Sequence, residues 1–208
     1  MLIEKIVVGD IETNCYMLAD QKNKIGLVID PGDDYNKIAE KIEKLKVRIE
    51  KIILTHGHID HIAALDDLKK YTKAEVLIHS NDARMLSDSA SNLSMLVGDE
   101  HKFLPADKFL KDGDVIKCGE IELKVIHTPG HTPGGVCLVG KSAIFTGDTL
   151  FNESVGRTDL PGSSGDDLKK SLEKILEIKE NLEVYPGHGP VSHLEWERNN
   201  NPFLLDLK

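Results

Sequence analysis

Thr55-His56-Gly57-His58-Ile59-Asp60-His61 comes directly after the apolar run Lys51-Ile52-Ile53-Leu54. That run has the length and aliphatic content of a buried strand, so the histidines begin where the strand ends. In an extended loop, residues two apart point the same way. His56 and His58 can therefore converge on one point, while Asp60 and His61 turn toward a neighbouring one. Imidazoles and a carboxylate this close together suit zinc, iron or manganese better than calcium or magnesium.

One loop cannot complete two coordination spheres, so partners are expected at other strand ends. Three segments qualify. His131 lies in Thr128-Pro129-Gly130-His131-Thr132-Pro133-Gly134-Gly135, a rigid turn after a strand expected over 120–127. Asp148 lies in Phe145-Thr146-Gly147-Asp148-Thr149, and His188 in Tyr185-Pro186-Gly187-His188-Gly189-Pro190. Alone, each is an ordinary loop residue. Together with the first cluster they repeat one order: a strand, a glycine-containing turn, a ligand.

Outward from these segments, residues 2–8, 14–19 and 25–30 read as antiparallel strands joined by tight turns. Ile38, Ala39, Ile42 and Leu45 recur at helical spacing between residues 34 and 46. A second helix is expected from Ile62 to about Tyr71, and a strand over 74–78. Residues 81–110 are ambiguous, with helical pieces suggested by Met85, Leu86, Leu93, Met95 and Leu96. Strands resume over 114–117, 120–127, 135–139 and 142–146. A helix follows over 166–178, with Leu168, Leu172, Ile175 and Leu176 on one face. Glu183-Val184-Tyr185 is the last strand expected. Runs of strands with helices set outside suggest two sheets packed face to face, each covered by helices; a doubly wound parallel sheet is the alternative. No Pro/Ser-rich linker interrupts residues 1–208, so one domain is expected.

The chain has 208 residues, of which 40% are hydrophobic, and a net charge of −9. That composition excludes a disordered chain and argues against binding to phosphate backbones. No apolar stretch approaches the length of a membrane span, and the N-terminus lacks the charged start of a signal peptide. Cys15, Cys118 and Cys137 are odd in number and far apart, as expected of free thiols in the cytoplasm. Among the remaining histidines, His127 is a candidate to orient a ligand by a hydrogen bond, or simply packs in its strand. His79 sits at a strand end, and His101 and His193 are expected at the surface.

From Asn14-Cys15-Tyr16 to Gly189, the His-x-His-x-Asp-His motif and its three spaced partners resemble the metallo-β-lactamase fold superfamily. Within it they resemble the glyoxalase II-like (hydroxyacylglutathione hydrolase-like) enzymes in their short bacterial form. The resemblance implies an α+β fold, a four-layer αββα sandwich of two mixed sheets flanked by helices. It places His56, His58 and His131 at a first metal and Asp60, His61 and His188 at a second, with Asp148 bridging. The implied cofactors are two divalent ions, zinc first, with iron or manganese also compatible. The implied reaction is attack by a metal-bridging hydroxide on the carbonyl of a thioester such as S-lactoylglutathione, with Asp60 orienting the hydroxide. Arg157, in Gly156-Arg157-Thr158-Asp159, matches a basic position that contacts the glutathione moiety; a surface salt bridge is the rival reading.

Two positions depart from the glyoxalase II pattern. A tyrosine two residues beyond the basic position is Asp159 here, and one after the last ligand is replaced by Gly189-Pro190. The chain ends 20 residues after His188, too soon for the helical extension of the longer enzymes. The same fold also carries persulfide dioxygenases, in which a single iron would use His56, His131 and Asp148. The expected partner is a small molecule, not nucleic acid or membrane, and the expected state is a monomer or homodimer.

Overall fold

The computed structural model describes residues 1–98 and 100–207; Asp99, within the ambiguous 81–110 stretch, and Lys208 lie outside the described residues. The first half holds β1 (Leu2–Val8), β2 (Thr13–Asp20), β3 (Ile25–Ile29), α1 (Tyr35–Leu45), β4 (Arg48–Ile53), α2 (Ile59–Ile62), α3 (Leu65–Thr72), β5 (Glu75–His79) and β6 (Lys108–Leu110). The second half holds β7 (Val115–Cys118), β8 (Ile121–His127), β9 (Val136–Val139), β10 (Ala143–Gly147) and the small hairpin β11 (Leu150–Phe151) and β12 (Ser154–Val155). It ends with α4 (Gly165–Leu176), β13 (Glu183–Pro186), β14 (Ser192–His193), α5 (Leu194–Asn200) and α6 (Pro202–Leu205).

Two six-stranded sheets result, ordered β1-β2-β3-β4-β5-β6 and β14-β13-β10-β9-β8-β7. In the first, β1, β2 and β3 pair antiparallel, then β3 to β6 run parallel. In the second, only β10 and β13 are parallel. Both sheets are thus mixed, and the doubly wound alternative is excluded. Every residue of β2 is buried, because the strand has apolar cover on both faces. Cys15, Met17 and Ala19 pack outward with Ile38, Ile42, Leu65 and Leu68 of α1 and α3. Tyr16 and Leu18 pack inward with Leu27, Ile53, Leu123, Val125 and Phe145 from both sheets. On the far side, Ile144 and Val184 meet Leu168, Leu172 and Ile175 of α4 and Leu194 of α5. Helix, sheet, sheet, helix is the layer order.

Two expected elements differ. The helix expected from Ile62 is broken, because the Ala63 and Ala64 amides bond to the carbonyls of Gly32 and Pro31 at 3.2 and 3.0 Å. These bonds tie α2 to the turn after β3, and α3 restarts at Leu65. Residues 81–110 contain two short 3₁₀ turns, Ala83–Ser87 and Ser94–Val97, and then β6. The periodicity of 2 or 3.6 has too few residues to act on in such pieces. No helix among the described residues is long and apolar enough to cross a membrane.

At the rim opposite the site, Asp20 joins the two sheets. Its carboxylate accepts from Asn23 Nδ2 at 2.6 Å, from Asn23 N at 3.1 Å and from Glu120 N at 2.8 Å. The Asn23 side chain, then the Glu120 and Asn23 amides, hold its pKa down at about 2. A carboxyl whose pKa is lowered on folding adds stability above its unfolded pKa and loses it as pH falls through the folded value. Asp20→Asn should therefore flatten the acid limb of the stability curve between about pH 4 and pH 2. An unaltered limb in denaturant titrations at those pH values would contradict this.

Candidate metal centre

Parallel strands bring their C-terminal ends to one edge, and this positions the site. Asp30 follows β3 and Thr55-His56 follows β4; in the second sheet, Asp148 follows β10 and Gly187-His188 follows β13. The two edges are stitched together by Asn14 N donating to Gly187 O at 2.7 Å and Val136 N to Thr55 O at 2.9 Å. His131 arrives from the turn between β8 and β9. Gly187 packs so tightly that a Cβ there would lie 2.1 Å from Asp148 Oδ1 and 2.8 Å from His61 Cε1. Only glycine lets the last turn approach.

All seven expected ligands meet at this rim. Three overlapping groups have ligand atoms within 4.8 Å of one another: His56, His58 and His131; His56, His61 and Asp148; and Asp60, His61 and His188. Asp148 faces both ends of the cluster, with Oδ1 3.3 Å from His61 Nε2 and Oδ2 3.5 and 3.6 Å from His131 Nε2 and His188 Nε2.

The outer nitrogens are spoken for, which fixes how the rings present themselves. His61 Nδ1 donates to Asp30 Oδ2 at 3.0 Å, His131 Nδ1 to Arg157 O at 2.9 Å, and His188 Nδ1 to Ile11 O at 3.2 Å. A proton held on Nδ1 leaves the Nε2 lone pair turned inward, as metal-binding imidazoles require. His131 Nε2 lies 2.9 Å from His58 Nδ1. Buried His56 Nε2, His58 Nε2 and Asp148 Oδ1 have no hydrogen-bond partner among the described residues. Buried polar atoms without partners are costly, and these belong to residues whose ligand atoms gather within 4.8 Å of one another. Five imidazoles and two carboxylates arranged this way fit divalent cations of the zinc type.

Electrostatics divide the cluster. Burial, then the neighbouring His61, His58 and His131, push His56 well below the ordinary imidazole range. Burial and then His131 bring His58 to about 3. Both stay neutral, as ligands must. Burial also acts to lower His61, but Asp60 and Asp148 outweigh it and raise its pKa. For Asp60, burial opposes ionisation, yet His61 and His188 hold the carboxyl well below the usual range.

Asp30 is a site residue that sequence reasoning missed. Its backbone is left-handed, with φ +51°, a region that Asp tolerates. Oδ1 accepts from Thr55 N at 2.7 Å, and Oδ2 accepts from Thr55 Oγ1 at 2.6 Å as well as from His61. One buried carboxylate therefore aims both the ligand loop and a ligand. The signal was present, since Ile29-Asp30-Pro31-Gly32 repeats the strand-then-turn order, but a lone Asp before Pro-Gly also reads as a plain turn.

Arg157 contributes to the site through its backbone as well. Its carbonyl anchors His131, while its guanidinium is exposed and pairs bidentately with Asp159 at 2.6 and 2.8 Å. His127 does not orient a ligand side chain. It bonds to Pro133 O at 3.0 Å and stacks on His79 with ring centroids 4.0 Å apart. His101 bonds to Asp66 Oδ2 at 2.9 Å, and His193 is exposed. The three cysteines are buried and free. Burial pushes the Cys118 and Cys137 thiols up to about 11 and Cys15 higher still, so none is a ready nucleophile.

The sequence profile of the metallo-beta-lactamase superfamily matches residues 8–188, which contain the whole cluster. The chain belongs to the metallo-beta-lactamase superfamily. Among its relatives is the probable metallo-hydrolase YqgX of Bacillus subtilis, 37% identical, with 96% of each chain covered. The hydroxyacylglutathione hydrolase GloC of Haemophilus influenzae is 32% identical, with 98% of each chain covered. The crystal structure of the B3 metallo-beta-lactamase BLEG-1 superposes with a TM-score of 0.93 at 35% identity, covering 98% of this chain and 99% of that one. TTHA1623 in a di-iron-bound form gives 0.85 at 30% identity, covering 97% and 100%. As a superfamily member the chain shares the αββα fold of these structures, with the candidate metal-binding cluster at the rim of the two sheets.

Proposed function

We propose that the chain is a metal-dependent hydrolase that cleaves a thioester of the S-lactoylglutathione type. The observation that carries this is the pair of donor groups joined by Asp148. The Asp60, His61 and His188 group is assembled as closely as the His56, His58 and His131 group, which favours two ions over the single iron of a dioxygenase. The name of the Haemophilus influenzae relative supports the thioester, and the di-iron neighbour supports a pair of ions without choosing the metal.

His56, His58 and His131 would hold one ion, Asp60, His61 and His188 the other, with Asp148 between. Divalent ions held there would supply an acidified water and Lewis-acid polarisation of a carbonyl. The chain's own residues set the geometry. Asp30 locks His61 by its Nδ1 proton, and the Arg157 carbonyl does the same for His131. The partly exposed Asp60 carboxylate, steadied by Thr13 Oγ1 at 3.2 Å, orients the attacking water. No serine or cysteine nucleophile enters. The Arg157 guanidinium receives a substrate carboxylate in exchange for Asp159. The net charge of −9 supports a small-molecule substrate rather than nucleic acid. The free thiols support a cytoplasmic protein, and we take it to act as a monomer or homodimer.

Chelator-stripped protein should lose S-lactoylglutathione hydrolysis and regain it with zinc, iron or manganese. Hydrolysis unaffected by the chelator would overturn the reading; oxygen uptake with a persulfide by single-iron protein would replace it with the dioxygenase. Arg157→Ala should raise KM for the glutathione thioester roughly ten-fold, the worth of about 1.4 kcal/mol, with kcat little changed. A fall in kcat at constant KM would place Arg157 elsewhere in the reaction.

A further inference from the structure

Asp82 follows β5, as Asp30 follows β3, and is fully buried. It is no ligand, and sequence reasoning gave it no role. Its Oδ2 accepts from Thr132 Oγ1 at 2.7 Å and its Oδ1 from Gly134 N at 2.6 Å. Asp82 also opens the 3₁₀ turn Ala83–Ser87, whose Met85 packs on Gly57: a Cβ at Gly57 would lie 2.6 Å from Met85 Cβ. Two ligand loops are thus engaged: Gly57 stands between His56 and His58, and Thr132 and Gly134 follow His131. Gly134 presses onto the carboxylate, since a Cβ there would lie 2.6 Å from Asp82 Cγ. The loops meet where His58 Nδ1 and His131 Nε2 approach to 2.9 Å.

We propose that Asp82 is a positioning residue that clamps the His56–His58 loop to the His131 turn and so sets the geometry of the first metal group. The inference rests on the two-ion reading above. The buried carboxylate holds one loop by two hydrogen bonds while the turn that Asp82 opens packs against the other, setting a distance that neither loop fixes alone. The partner of the clamp in sequence is Thr132, whose hydroxyl can be removed with little change of shape. The second group, Asp60, His61 and His188, is aimed by Asp30 and by Ile11 O and has no bond to Asp82 among the described residues. The two groups should therefore respond differently to loss of the clamp.

The test is zinc binding by the full chain, in competition with a chromophoric chelator, alongside thermal unfolding of the metal-free protein. Asp82→Ala should weaken one of two zinc ions about 10–100-fold, the range for loss of an outer hydrogen-bond partner, and leave the other within about three-fold. Thr132→Val should weaken the same ion by a smaller factor at an unfolding temperature close to that of the parent, and Thr132→Ser should restore it. Binding of both ions at parental affinity in Asp82→Ala and Thr132→Val would overturn the clamp alone. Equal weakening of both ions, in step with a falling unfolding temperature, would likewise reduce Asp82 to general support. A parent chain that binds no zinc, iron or manganese would overturn the metal reading itself.

Discussion

His58→Ala should cut thioester hydrolysis by more than the ~10–100-fold that loss of an outer hydrogen-bond partner costs, because it deletes a ligand outright. His58 belongs to the group with His56 and His131, and its ring is buried between them. No other side chain in that group can replace its nitrogen. The fold should survive. His58 lies in the loop before α2 and outside the three apolar clusters that hold the layers together. Truncating it removes a single ring-to-ring hydrogen bond, from His58 Nδ1 to His131 Nε2 at 2.9 Å. The check is turnover with bound metal on the same samples, with unfolding of the metal-free chain as control. Parental turnover would remove the first metal group from the account.

Asp30→Ala should be the more damaging change to the protein as a whole. It leaves Thr55 N, Thr55 Oγ1 and His61 Nδ1 buried without an acceptor. Breaking a buried pair of this kind costs about 3–5 kcal/mol. At about 2–4 °C per kcal/mol for a chain this size, the unfolding temperature should fall by roughly 10 °C. Ala also fits the left-handed φ of +51° less well than Asp does. Asp30→Asn separates the two roles. Asn accepts the backbone conformation, but its amide cannot take all three protons, so metal affinity should drop with a smaller loss of stability. If Asp30→Ala unfolds at the parental temperature, the carboxylate is not the anchor described above.

Much of this arrangement is legible in the chain, for reasons that differ by residue. The His56 to His61 cluster is dense enough to stand out without context. His131, Asp148 and His188 are legible only as a set, because each repeats the same strand-end order. The layers follow from Ile38, Ile42, Leu168 and Leu172, which show helical spacing, and from apolar runs such as 120–127. Asp30 and Asp82 escape because an acceptor of hydrogen bonds needs no fixed spacing from what it holds; their donors lie 25 to 52 residues away. Arg157 stands out in the sequence by its charge, whereas its carbonyl does the anchoring, and backbone atoms leave no mark on a sequence. The C-terminal α5 and α6, with 7 and 4 residues, are too short for a periodic signal.

Everything functional depends on a rim where five imidazoles and two acidic side chains hold a pair of cations. Counting bound metal per chain, by equilibrium titration of zinc into chelator-stripped protein, tests that most directly. Two ions per chain are predicted. A stoichiometry of one, or no binding of zinc, iron or manganese at all, would contradict it.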